Sequence, residues 1–225
     1  MMSYSRYAVY YTPRPGPLHD FGAAWLGWDA ASGQPVAHPP VEGVETWTAT
    51  PRKYGFHGTL KPPFRLAEGA TEETLAEALT RFAAAQPTVV LSGLRLAQLG
   101  HFLALIPAGS QDDLAQLAER VVMDLDGFRA PLNEAELTRR RAAGLTPRQD
   151  ALLTQWGYPY VMEEFRFHLT LTGRLSGGEI DEVQATLAPL VRPLLEGPFE
   201  VADLTLLGEG PDGRFHHVAR AALSG

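Results

Sequence analysis

A four-residue motif occurs twice, as His57-Gly58-Thr59-Leu60 and His168-Leu169-Thr170-Leu171, each time inside an apolar run with the character of a β-strand. The two copies stand 111 residues apart, from position 57 to position 168. Side chains two apart along an extended strand share a face, so His57 and Thr59 point one way while Phe56, Gly58 and Leu60 point the other. The second copy repeats this, with His168 and Thr170 on one face and Phe167, Leu169 and Leu171 on the core-seeking one. If the strands are neighbours, two imidazoles and two hydroxyls line one cleft. Such a set can hold a phosphate through the hydroxyls while one imidazole takes a proton and an imidazolium gives one, which is phosphodiester cleavage without a metal.

The offset extends beyond the motif. After the first copy the pattern predicts a helix over 71–85, a strand over 87–99 and a strand over 101–106. After the second it predicts a helix over 178–195 and strands over 199–207 and 214–221. Pro87 and Pro198, which open the strand after each helix, are again 111 apart. Any α+β chain can produce such an order of elements. The doubled motif within it is what reads as two related β-α-β-β lobes.

These residues resemble the two-histidine (2H) phosphoesterase superfamily, which includes the LigT-like RNA 2′,3′-cyclic phosphodiesterases. The contexts Tyr54-Gly-Phe-His-Gly-Thr-Leu-Lys-Pro-Pro-Phe64 and Phe165-Arg-Phe-His-Leu-Thr-Leu-Thr-Gly173 are more narrowly similar to the DUF1045 branch found among phosphonate-metabolism proteins. The resemblance covers nearly the whole chain. It implies an α+β, bilobal LigT-like fold with antiparallel sheets around a central cleft, chemistry with no metal or other cofactor, and His57, Thr59, His168 and Thr170 as the catalytic tetrad. One bilobal domain is expected over 1–225. Its first lobe covers about 52–127, a helical insertion about 128–160, and its second lobe about 161–225 together with an N-terminal strand at 7–12.

Composition sets outer bounds. A chain of 225 residues with 45% hydrophobic content can bury a sizeable core. No apolar run approaches the ~20 residues of a membrane span. The N-terminus lacks a signal-peptide core, and with no cysteine the chain has no disulfide or thiolate chemistry. A cytoplasmic monomer with no membrane partner is expected. A net charge of −7 argues against a grip on long nucleic acid, leaving a small phosphorylated substrate or, at most, a small RNA end.

Elsewhere the chain reads as a strand over 7–12, a helix over 19–27, and a mostly irregular stretch over 29–51 that could act as a flap. An amphipathic helix over 112–126 follows, and the insertion holds two helices, 134–143 and 147–156, broken at Gly144. Arg139-Arg140-Arg141 and Arg148 make the insertion basic. They form either a solvated helix face paired with Glu134 and Glu136 or an anion-recruiting lid.

Strict alternation carries Lys61 onto the His57 face, and Thr172 and Arg166 onto the His168 face. Lys61 and Arg166 are therefore candidate cations for a phosphate's non-bridging oxygens. The plainer alternatives are that Lys61 leaves the strand into Pro62-Pro63 and that Arg166 pairs with Glu163 or Glu164. Tyr54 and Tyr11 are candidate stacking residues for a sugar or base, as is Tyr7, although strand tyrosines commonly fill core edges. The other histidines lack ligand spacing, so no metal site is expected. Gly208-Glu-Gly-Pro-Asp-Gly213 lies between two predicted strands and reads as a hairpin turn. The leading expectation is a phosphodiesterase that opens a cyclic phosphate on a small sugar or nucleotide. RNA 2′,3′-cyclic end processing and a non-catalytic phosphate-ligand binding protein are the alternatives.

Overall fold

A computed structural model describes residues 3–225. In chain order the elements are β1 (Tyr7–Tyr11), α1 (Pro17–Leu26), a short hairpin of β2 (Trp28–Asp29) and β3 (Gln34–Pro35), α2 (Val44–Thr48), β4 (Gly58–Phe64), α3 (Glu72–Ala84), β5 (Val89–Leu91), β6 (Leu94–Leu99), β7 (Phe102–Pro107) and α4 (Asp112–Asp124). The insertion supplies α5 (Glu134–Arg141) and α6 (Pro147–Trp156). The second half contains β8 (Leu169–Thr170), α7 (Gly177–Val191), β9 (Phe199–Val201), β10 (Asp203–Glu209) and β11 (Phe215–Ala222). Local chemistry explains the helix starts. Thr71 caps α3 by accepting from the Thr74 amide, Asn133 and Glu136 form a reciprocal capping box on α5, and Thr146 caps α6 with Pro147 behind it.

Seven strands form one antiparallel sheet in the order β11-β10-β1-β4-β8-β7-β6. The two motif strands, β4 and β8, are direct neighbours at its centre. The two β-α-β-β units interleave around them. The first unit's hairpin β6-β7 flanks β8, while the second unit's hairpin β10-β11 reaches β4 through β1. The helices follow the same exchange, α3 packing on β10 and β11 and α7 on β6 and β7.

Both long strands expected after the helices are broken. The first splits at Ser92-Gly93, where Gly93 has φ +151° and a Cβ would sit 3.0 Å from the Gly197 carbonyl. The second splits at Ala202. Their leading pieces, β5 and β9, leave the main sheet and pair with each other, Val89 opposite Val201 and Leu91 opposite Phe199. The shared break is a further mark of the internal repeat.

One face of the sheet is covered by helices. Val9 and Leu60 meet Leu75 and Leu79 of α3, Leu117 of α4 and Leu187 of α7 in a single apolar core. The insertion is fastened separately, through Leu152 of α6 and Val161 packed against Val122 of α4, and through Arg65 bonded to Glu136 and the Pro131 carbonyl. The opposite face of the central strands remains open to a cleft.

Candidate active site

Gly58 of β4 lies opposite Leu169 of β8 in an antiparallel pair. One step either way sets Thr59 against His168 and His57 against Thr170, so each imidazole faces the other motif's hydroxyl. The approach of the two strands depends on Gly58, because a Cβ there would lie 2.3 Å from the Phe167 ring.

Each imidazole is held in the same way. Nδ1 of His57 donates to the carbonyl of Gly55 at 2.9 Å, and Nδ1 of His168 donates to the carbonyl of Arg166 at 2.8 Å. Both carbonyls come from the residue two positions earlier, so the duplication extends to the groups that set the tautomer. With Nδ1 protonated, Nε2 of each ring carries the free lone pair. In His57 that nitrogen lies 3.2 Å from the Thr59 hydroxyl. Gly55 reaches its position with φ +72°, and a side chain there would meet the Ala30 methyl at 2.8 Å.

The two environments are not equal. The Tyr10 ring stacks on His57 at 3.9 Å between centroids with 21° between planes. Burial, with a smaller contribution from the neighbouring His168, pushes the His57 imidazole down from 6.5 to about 4, against the opposing pull of the Gly55 carbonyl. Burial also lowers His168, opposed by the Arg166 carbonyl. The sequence alone supplied no reason to move either from the ordinary value near ~6.5. Both shifts favour the neutral imidazole.

The cleft over these residues has a volume of about 460 Å³, within the usual range for small-molecule sites. Its wall includes His57, Thr59, Thr170, Tyr10, Tyr54 and Arg140. His168 is not part of that wall, but its ring lies 5.6 Å from Phe102, which is. Thr172, expected on the His168 face, also lines the cleft. Its buried hydroxyl is committed to the backbone, accepting from the Leu103 amide and donating to the Gly173 carbonyl.

Four expected substrate contacts are corrected. Lys61 does not share the His57 face. The pairing of β1 with β4 shifts register between Val9 opposite Lys61 and Tyr10 opposite Thr59, a bulge that places Leu60 and Lys61 both on the helical side. There Lys61 is 1% exposed, and its Nζ donates to the Val122 carbonyl and to Asp126 at 3.0 and 3.2 Å. Arg166 does lie on the His168 face, but its guanidinium turns back to the Glu163 and Phe165 carbonyls, outside the cleft wall. Its contribution to the site is its own carbonyl. Tyr11 points into the core, edge-on to Phe199 at 5.0 Å. Tyr7 is buried on that same face.

Tyr54 does reach the cleft, 5.9 Å from the His57 ring. The sequence reading missed Tyr10, whose neighbours Val9 and Tyr11 are as apolar as it is, so alternation could not single it out. It also missed Arg6 and Tyr158 as wall residues.

Comparison with known proteins gives three findings. A family model described as "Protein of unknown function (DUF1045)" matches residues 59–216. Two relatives, each named "Ribose 1,5-bisphosphate phosphokinase PhnN", come from Janthinobacterium sp. (strain Marseille) and Laribacter hongkongensis (strain HLHK9). The first is 46% identical over 187 residues, covering 80% of this chain and 41% of the relative. The second is 38% identical over 198 residues, covering 87% of this chain and 46% of the relative. The chain thus spans less than half the length of these relatives. Among solved structures, similarity extends to one titled "Crystal structure of phosphoesterase", with TM-score 0.46, 15% identity, and coverage of 98% of this chain and 99% of that one. E. coli LigT complexed with 3′-AMP gives TM-score 0.46, 18% identity and 98% coverage of both chains.

Proposed function

The chain belongs to the DUF1045 family, and from the geometry of its paired motifs we propose that it is a metal-independent phosphodiesterase that opens a cyclic phosphate on a small phosphorylated sugar. The observation that carries this reading is the matched pair of imidazoles. Each donates Nδ1–H to the carbonyl two residues behind it and keeps Nε2 unprotonated, on adjacent strands, opposite the other motif's threonine. Acid–base chemistry on one phosphate needs two such nitrogens.

The proposed roles follow the asymmetry of burial. His57, stacked on Tyr10 and held well below the ordinary imidazole range, is the base: its Nε2 takes a proton as water attacks phosphorus. His168 is the acid. Once an anionic substrate has raised its proton affinity, its Nε2–H protonates the departing sugar oxygen. One P–O bond forms from water and one P–O bond breaks, giving a phosphomonoester and a free hydroxyl. Thr59 and Thr170 hold the non-bridging oxygens in line.

The relatives' name supports a specific substrate class. Opening a 1,2-cyclic phosphate on ribose 5-phosphate, by breaking the bond from phosphorus to O2, yields ribose 1,5-bisphosphate, the compound named for the phosphokinases. The kinase activity in that name is not carried over to this chain, which covers 41% and 46% of those relatives. The chain has no Gly-x-x-x-x-Gly-Lys-Ser/Thr phosphate loop. A panel running from 2′,3′-cyclic nucleotides to 5-phosphoribosyl 1,2-cyclic phosphate, followed by phosphorus NMR in the presence of EDTA, tests the proposal. Turnover that requires both His57 and His168 is the expected result. Loss of activity on chelation, with recovery on adding metal back, would refute it.

A further inference from the structure

The cleft is larger than a phosphate requires. At about 460 Å³ it holds the volume of roughly fifteen waters at ~30 Å³ each, and the histidine–threonine set occupies only part of its wall. Another part is built by the insertion, which delivers Arg140 from the last turn of α5 and Tyr158 from the segment after α6. The Arg140 guanidinium lies over the Tyr158 ring, 5.0 Å from its centroid, and its Nε is buried with no hydrogen-bond partner among the described residues.

Four neighbouring sets of cations are already paired. Arg6 makes two contacts of 2.6 Å with Glu209, Lys61 and Arg129 share Asp126, Arg65 holds Glu136, and Arg141 holds Asp150. Arg140 forms no ion pair with a described residue. A partly desolvated guanidinium with unused donors is costly unless an anion completes it. Arg6 and Arg139, both nearby, lower its proton affinity further and add to a positive potential at this end of the cleft.

Building on the phosphodiesterase reading, we infer that Arg140 is the receptor for a second phosphate on the substrate, remote from the bond that is cleaved. The chain then selects a sugar phosphorylated at two positions over one that carries only the reacting phosphate. The planar guanidinium suits bidentate capture of a terminal phosphate, and Tyr158 behind it fixes the plane. The basic insertion acts in the cleft through this one residue, because Arg141 and Arg148 are occupied by Asp150 and Glu163 and Arg139 lies outside the cleft wall.

Calorimetric binding of ribose 1,5-bisphosphate, ribose 1-phosphate and inorganic phosphate to the whole chain tests this independently of turnover. Wild type should prefer the bisphosphate over the monophosphate by tenfold to a hundredfold, the worth of one charge-assisted contact. Arg140→Met should bring that ratio close to one while leaving inorganic phosphate binding intact. Arg140→Lys should keep part of the ratio, and Arg141→Gln, which removes an equal charge one residue away, should keep all of it. A wild-type ratio near one overturns the inference, as does an Arg140→Met variant that weakens all three ligands alike, the mark of a structural role. The failures are separable. Turnover of cyclic phosphates without discrimination at Arg140 removes this inference alone, whereas bisphosphate preference with no turnover of any cyclic phosphate removes the phosphodiesterase reading alone. Absence of binding by all three ligands overturns both.

Discussion

The protonation state of His57 gives the sharpest physical test of the site. An imidazole with its ordinary pKa near ~6.5 is protonated in about one molecule in four at pH 7. At about 4, the value set by burial beneath Tyr10, the fraction falls to roughly one in a thousand. The difference corresponds to roughly 3 kcal/mol against the charged form. It should appear directly in an NMR titration of the ring protons, with His57 titrating far below the ordinary value and His168 also below it. The same shift is a stability statement. Between about pH 4 and 6.5 the unfolded chain binds a proton at this position that the folded chain does not, so stability falls as pH drops through that window. His57→Gln should flatten that part of the stability profile. Adding phosphate should reverse the shift, since an anion against Nε2 favours the imidazolium. Binding near neutral pH should then take up protons, measured as a dependence of calorimetric heat on the ionisation enthalpy of the buffer. If both rings titrate between pH 6 and 7 in the free protein and neither moves on adding phosphate, the argument from burial is wrong, and so is the assignment of His57 as the base.

Three further outcomes are expected. His57→Ala or His168→Ala should lower kcat by roughly 10²–10⁴, the usual contribution of positioned acid–base catalysis, while Thr59→Ala and Thr170→Ala should act more through KM; steady-state kinetics on the best cyclic phosphate separates the cases. Gly58→Val should both destabilise the protein, by ~1–3 kcal/mol in urea unfolding, and reduce activity, because its side chain must displace the Phe167 ring that keeps β4 against β8. Lys61→Met should also cost ~1–3 kcal/mol through the Val122 carbonyl left without its ammonium donor and the loss of one of the two cations on Asp126, yet leave kcat/KM within about threefold. A large kinetic loss there would restore Lys61 to the substrate side of the strand.

The contrast between His57 and Lys61 marks what the sequence could and could not carry. Period-two alternation holds as long as the ladder is regular, so two copies of His-x-Thr were enough to place four side chains on one face and to set two strands side by side. It fails at a bulge, and the bulge that moves Lys61 lies just before Pro62-Pro63, where two residues in a row lack an amide to donate to the ladder. Tyr10 was hidden for a different reason. β1 is buried on both faces, so Tyr-Ala-Val-Tyr-Tyr carries no alternation, and only its register with Thr59 puts Tyr10 on His57. The exchange of hairpins between the two units lay beyond reach as well, because local pattern says which residues form a strand but not which strand it pairs with. Arg140 combines these difficulties. Its helix, residues 134–141, was legible from pattern, but no internal repeat fixes where an unduplicated insertion docks. Its position over Tyr158 depends on contacts made by other residues, Val122 with Leu152 and Arg65 with Glu136. The reacting end of the cleft is therefore written in the duplicated residues, whereas the proposed selectivity is written in the segment that the duplication does not contain.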